Sequence, residues 1–146
     1  MSLPNSEEIK IIMKSTLADV GDIIVDNIRI RTPVAITGLA RNSINWELKD
    51  QGTVLKLIIG SNLVYIRALE FGRRPGSMPP VKAIQEWLEF KRVENAEQVA
   101  WAVAISIRDK GTKPARMFQK GIAASINPLK NIIKKGIRDI LKFSKP

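Results

Sequence analysis

Residues 44–59 read INWELKDQGTVLKLII and carry the clearest secondary-structure signal in the chain. Apolar and polar side chains alternate from Ile44 to Leu48, and a period of two is typical of a half-buried β-strand. Gly52, in the turn that follows, can adopt a positive φ, and residues 54–59 are rich in β-forming side chains. The stretch therefore predicts an antiparallel hairpin. Because a lone hairpin is marginal in water, it must pack on another element or be extended by further strands.

The segment before the hairpin predicts one long helix. Asn5 and Glu8 have the spacing of a capping box, and apolar residues then recur at helical spacing from Ile9 to Ile28. The helix is expected to end by about residue 31, because the residue that precedes Pro33 disfavours the helical region. So long an apolar stripe needs a partner surface, either the core of the domain or another subunit.

The segment after the hairpin is predicted to be helical, with loops at residues 73–80 and 110–115. Asn95 and Gln98 have capping-box spacing, Trp87 and Trp101 are expected to anchor the core, and Asn127-Pro128 should interrupt the last helical region. Helices are predicted over residues 62–72, from after Pro80 to the break at Glu94-Asn95, from Asn95 through Ile107, over residues 117–126 and over roughly residues 128–143. Residues 32–42 are predicted to be a loop. The prediction is thus a single α+β domain over residues 1–146, with a long N-terminal helix packed on a small antiparallel sheet and a helical C-terminal half.

The composition excludes several kinds of chemistry. The 146 residues include neither cysteine nor histidine, which rules out disulfides, thiol nucleophiles, zinc sites of the usual ligand types and Ser-His-Asp triads. No grouping of Asp and Glu resembles a magnesium site, so we predict no metal, no cofactor and no small-molecule substrate. The chain has no apolar run long enough for a transmembrane helix and begins with polar and acidic residues, so we expect neither membrane insertion nor secretion.

Positive charge is concentrated at the C-terminal end. The net charge is +10, yet residues 1–60 are neutral and residues 61–107 carry only +1. Residues 108–146 hold eleven basic and two acidic side chains, a net charge of +9. Such asymmetry indicates either an anionic partner or simply a solvated, soluble face.

The predicted last helix is amphipathic, which leaves three uses open. Its apolar face can join the core, can dock on a partner subunit with an acidic rim, or can lie beside DNA while the cations contact phosphates. Only 5% of the residues are aromatic and no recognised nucleic-acid-binding motif is present, so sequence-specific binding and a membrane-surface helix are both disfavoured. The candidate DNA-facing residues are Lys130, Lys134, Lys135, Arg138 and Lys142.

Three segments, in this order, resemble the small tail-completion proteins of long-tailed bacteriophages and prophages. Residues 32–44 read TPVAITGLARNSI, residues 65–76 read YIRALEFGRRPG, and residues 110–118 read KGTKPARMF. They are similar to the family's Thr-Gly signature, its Tyr and Glu-Phe-Gly-Arg-Pro stretch, and its Gly, Pro, Phe signal before the terminal helix. The resemblance covers about residues 5–126. The family-motif or interface residues that it implies are Thr37, Gly38, Tyr65, Glu70, Phe71, Gly72, Arg73, Arg74, Pro75 and Phe118.

The resemblance implies a non-enzymatic virion assembly protein that completes the tail or joins it to the head. Its partners would be other tail or neck proteins and further copies of itself, in a ring often described as six-fold, with non-specific contact to DNA as an added hypothesis. It would work in the bacterial cytoplasm during assembly and then in the tail or neck of the particle. The main alternative is a basic DNA-binding module with a cationic C-terminal helix, and a metal-dependent phage nuclease is a third.

Overall fold

The computed structural model describes residues 5–33 and 38–142, and these residues form the predicted α+β fold. The helices span Ser6–Arg31 (α1), Leu39–Asn42 (α2), Ile66–Phe71 (α3), Val81–Phe90 (α4), Ala96–Lys110 (α5) and Met117–Lys142 (α6). The strands span Asn45–Asp50 (β1) and Leu55–Gly60 (β2). The long first helix, the two-stranded antiparallel sheet and the helical C-terminal half are confirmed. Thr37 lies outside the described residues.

The described chain divides into two compact units. The first, called the hairpin unit, contains residues 5–31, 44–61 and 118–142, that is, α1, both strands and nearly all of α6. The second, called the inserted unit, contains residues 32–33, 38–43 and 62–117. The single domain expected from chain length stays a prediction, and each unit is described by itself.

The hairpin has the register that its apolar pattern predicts. Trp46 pairs with Ile59 and Leu48 with Leu57, while the intervening side chains of β1 are exposed. A four-residue loop joins the strands, closed by a 2.9 Å hydrogen bond from the backbone N–H of Gln51 to the carbonyl of Val54. The face that carries Trp46 packs on α1, so the first helix supplies the support that an isolated hairpin lacks.

Two contacts fix the hairpin on α1. The ring of Trp46 lies directly over Gly21, and its Nε1 donates a 2.7 Å hydrogen bond to Asp22 Oδ1. The guanidinium of Arg29 donates hydrogen bonds of 3.1 and 2.8 Å to the carbonyl of Ile44, which is itself fully buried. Apolar burial by Ile44 and by Ile28 of α1 therefore forms the centre of this unit.

An ion cluster ties the far end of β1 to the first turns of α1. Asp50 accepts salt bridges from Lys14 at 2.9 Å and from Lys10 at 3.0 Å. Its carboxylate also accepts a 3.0 Å hydrogen bond from the backbone N–H of Gly52. Hydrogen bonds from Lys14, then Lys10 and Gly52, hold the pKa of Asp50 well below its usual range.

Helix α6 runs antiparallel to α1 at very short distance. A Cβ placed on Gly121 would lie 2.8 Å from the backbone Cα of Ile28, and one on Gly136 would lie 2.5 Å from Thr16 Oγ1. The predicted interruption at Asn127-Pro128 is wrong, because α6 continues through Pro128. The close packing at Gly121 and Gly136 lies on either side of Pro128 along the helix, and Pro128 itself is exposed.

The inserted unit contains α2 to α5. Leu88 of α4 and the small residues Ala100 and Ala104 of α5 are buried and let the two helices pack closely. Trp101 was expected in the core, but it is 51% exposed because it lies away from the Ala100–Ala104 face.

Two further local predictions fail in this unit. Asn95 precedes α5 with φ 54° and makes no side-chain cap, so the capping box predicted with Gln98 is wrong. The left-handed backbone conformation of Asn95 directs the chain into α5, and the Asn95 side chain makes no capping hydrogen bond. Residues 39–42 form a short helix instead of a loop, since Gly38 adopts φ 64° and its carbonyl accepts the N–H of Asn42.

Candidate interaction surfaces

The stretch 65–75 forms a helix and an extended turn at the surface of the inserted unit. Helix α3 ends at Phe71, and Gly72 directly after it has φ 73°, a conformation that favours glycine. Arg73 then pairs with Thr112 in an isolated antiparallel bridge, with backbone hydrogen bonds of 3.1 and 2.9 Å in the two directions. Thr112 Oγ1 accepts a further 3.0 Å bond from the N–H of Arg73. Two segments that are far apart in sequence therefore hold each other in place.

Two glycines make the bridge possible. A Cβ on Gly72 would overlap the carbonyl oxygen of Thr112, and a Cβ on Gly111 would overlap the carbonyl oxygen of Arg73. Gly111 also has φ 71°, so both positions combine a left-handed backbone with close backbone contact. Gly72 and Gly111, which belong to the motif segments 65–76 and 110–118, are thus required by backbone packing.

The carbonyl groups at the end of α3 are also satisfied by the 110–116 segment. The N–H of Ala115 donates to the carbonyl of Leu69 at 2.8 Å, and the N–H of Arg116 donates to that of Glu70 at 3.1 Å. Glu70 is only 8% exposed, so it belongs to the framework of this segment and not to its surface.

The side chains that this framework presents to solvent are apolar and cationic. Val64 is 96% exposed, Phe71 72% and Tyr65 44%, although all three would gain by burial. Arg74 and Pro75 are exposed in the turn that follows, and Arg73 is half-buried. We call Val64, Tyr65, Phe71, Arg74 and Pro75 the motif surface. Exposed aromatic and aliphatic residues with arginine close in sequence are features found at protein interfaces.

The remaining motif residues have other positions. Gly38 starts α2, where its positive φ is used for capping. Phe118 is half-buried in α6 and belongs to the hairpin unit. The exposure of Val64 has no signal in the sequence, since Val64 lies in an apolar run between Leu63 and Ile66.

A second surface lies on α6. Lys130, Lys134 and Arg138 are exposed and follow each other at intervals of four residues, so they form one row along the helix. Lys135 and Lys142 border a groove of about 450 Å³ between α6 and α1, and Lys142 Nζ pairs with Asp139 Oδ1 at 3.1 Å. The five predicted DNA-facing residues thus separate into an outer row of three and two at the groove.

An apolar row on α6 accompanies the cationic one. Its five members are each about half exposed: Ile122 49%, Ile126 50%, Ile133 48%, Ile137 51% and Leu141 56%. The single apolar face expected for the last helix is divided in the structure, because Ile132 lines the groove beside α1 while Ile133 and Ile137 are exposed. The signal that could have shown this was the presence of Gly121 and Gly136, where the absence of a side chain lets α6 approach Ile28 and Thr16 of α1.

No group of three or more acidic side chains in residues 5–33 and 38–142 is placed to hold a metal ion. Within the same ranges, none of the helices has both the length and the hydrophobicity to cross a membrane. No protein-family model, curated protein or solved structure matches the chain.

Proposed function

We propose that this chain is a non-enzymatic assembly protein of a bacteriophage or prophage particle, of the tail-completion or head–tail neck kind. The observation that supports it best is the motif surface. The stretch that resembles the phage family, residues 65–76, is held by a backbone bridge at Arg73–Thr112 and presents Phe71 to solvent, with the exposed Val64 directly before it. A backbone segment that is held in place and carries exposed apolar side chains suits recognition of another protein, because little conformational entropy is lost on binding.

The chemistry of the sequence favours binding over catalysis. With neither imidazole nor thiol in the chain, the commonest general base at neutral pH and all thiol nucleophiles are missing. The partners under this proposal are the tail or neck proteins of the same particle and further copies of the chain in a ring. A ring needs a heterologous contact, in which one patch meets a different patch on the next copy. The chain would act in the bacterial cytoplasm and remain in the assembled particle.

The test is binding to purified tail tubes and portal rings of the particle whose genes lie beside this one. Electron microscopy should show added density at a tube end or portal, and Phe71→Ser should weaken binding about tenfold or more. Phe90→Ser is the matched control, because Phe90 is 64% exposed in the same unit but lies outside the motif surface. A chain that stays monomeric at every concentration and binds neither tubes nor portals would contradict the proposal.

A second candidate is a basic DNA-binding module, favoured by the exposed row of Lys130, Lys134 and Arg138. It predicts DNA association that weakens steeply with salt, with the slope falling by about 0.9 for each phosphate contact removed. Charge reversal at Lys130, Lys134, Arg138 and Lys142 should abolish it. Weak binding with little salt dependence would exclude this candidate.

A further inference from the structure

Helix α6 has an outer face that the hairpin unit leaves uncovered. Its inner face includes Gly121 and Gly136, which pack on α1, and Ile132, which lines the groove beside α1. The apolar row defined above runs along the next face, over residues 122–141. At 1.5 Å per residue this row is about 30 Å long, the length of a helix–helix interface.

The exposure of this row indicates a surface on which another molecule packs. Single exposed isoleucines are ordinary on protein surfaces, but five half-exposed large aliphatic side chains at helical spacing place an apolar strip along one side of α6. Their intervals of four, seven, four and four residues keep them on one side of the helix, as in helices that bind a second helix.

The charges beside the apolar strip indicate which kind of molecule binds to it. Lys130, Lys134 and Arg138 follow one edge of the strip. A second copy of α6 would bring like charges together, which is unfavourable. Phosphates of DNA could meet the cations, but would leave the isoleucines in water. An amphipathic helix with an apolar row and carboxylates on one flank satisfies both features.

We propose that the outer face of α6 binds an acidic amphipathic helix of a partner protein. The partner's apolar residues pack between Ile126, Ile133 and Ile137, and its Asp or Glu side chains pair with Lys134 and Arg138. This surface differs from the motif surface and lies in the other unit. The inference therefore stands or falls independently of the proposed phage function.

The test uses the full-length chain and two synthetic helical peptides of the length of α6. Both peptides have leucine at heptad positions, one with glutamate and the other with lysine on the flanks. Calorimetry should show that the glutamate peptide binds in the micromolar range and the lysine peptide at least about tenfold more weakly. The affinity for the glutamate peptide should fall as salt is raised.

Two double variants test the apolar row and the cationic row separately. I133S/I137S should abolish binding of the glutamate peptide, and K134E/R138E should weaken it and remove most of its salt dependence. Ile11→Ser is the matched control, since Ile11 is 65% exposed on α1. All four positions in the two double variants are exposed, and circular dichroism should show unchanged helix content.

Several outcomes would overturn the inference. These are equal affinity for the two peptides, no binding of the glutamate peptide, or binding that survives I133S/I137S. Sedimentation velocity and vesicles of phosphatidylserine test two other occupants. An oligomer of this chain that I133S/I137S dissociates, or vesicle binding that requires the same isoleucines without peptide binding, would assign the face to a second copy or to a membrane surface instead.

Discussion

Trp46 and Gly21 approach so closely that a Cβ at position 21 would lie 2.7 Å from Cγ of the indole ring. The ring cannot move aside without losing the 2.7 Å hydrogen bond from its Nε1 to Asp22. The contact is therefore rigid, and it places the hairpin on α1.

Gly21→Ala is expected to lower the free energy of unfolding by about 1–3 kcal/mol, because overpacking against a fixed ring costs that much. Without the Trp46 ring, replacing glycine by alanine inside a helix would raise stability by about 1 kcal/mol, so the sign of the change in the free energy of unfolding is informative. Urea unfolding provides the measurement. Gly60→Ala is the control, since no atom lies within 4 Å of a Cβ at that position. Higher stability in Gly21→Ala would show that the ring is not held.

Asp50→Asn tests the ion cluster through its pH dependence. The folded pKa of Asp50 lies below its ordinary value of 3.8, mainly through Lys14 and then Lys10. The stabilisation is therefore fully present above about pH 4 and is lost as the pH falls through the lower folded value. The unfolding midpoint of Asp50→Asn should be below that of the wild type near neutral pH and equal to it in strong acid. A difference that persists in strong acid would contradict the assignment.

Gly72→Ala and Gly111→Ala should each disrupt the bridge beneath the motif surface. A Cβ at either position overlaps a backbone carbonyl, and the backbone φ is positive as well, so we expect a loss of about 2 kcal/mol or more in the free energy of unfolding. Gly76→Ala separates the two causes, because Gly76 has φ 114° but no atom within 4 Å of a Cβ. Equal losses at Gly72 and Gly76 would show that backbone strain alone matters.

Pro128→Ala should stabilise the hairpin unit. Pro128 is exposed inside α6, so the substitution restores a backbone donor without removing buried contacts. A proline in a helix interior costs about 3 kcal/mol, and a gain of about 1–3 kcal/mol in thermal or urea unfolding is expected. Pro80→Ala, at the start of α4, should change little. A loss of stability in Pro128→Ala would mean that the proline ring is part of the fold.

The sequence predicted those elements whose periodicity is strong. The alternation around Trp46 predicted β1, and the apolar spacing from Ile9 to Ile28 predicted α1, because both patterns reflect burial on one face. The break expected at Pro128 failed since tertiary packing of α6 on α1 overrides local propensity. Trp101 was misplaced because its size favours burial, whereas the alanines of α5 occupy the packed face.

The candidate surfaces were predictable in part. The cations of α6 are evident from composition, and the Glu-Phe-Gly-Arg stretch was selected by resemblance. Which apolar residues of α6 are exposed was not predictable. Ile132 and Ile133 are chemically alike, and only the structure shows that Ile133 is the exposed one of the two. Glu70 shows the converse, since a charged residue in a surface motif is buried.

The order of segments in the hairpin unit has a consequence for biosynthesis. Helix α1 leaves the ribosome before α6, the glycine-lined helix that packs beside it, and α6 is translated only after the whole inserted unit. During that interval the apolar side of α1 near Ile28 lacks its native cover, so the nascent chain depends on late, long-range closure to protect it from aggregation.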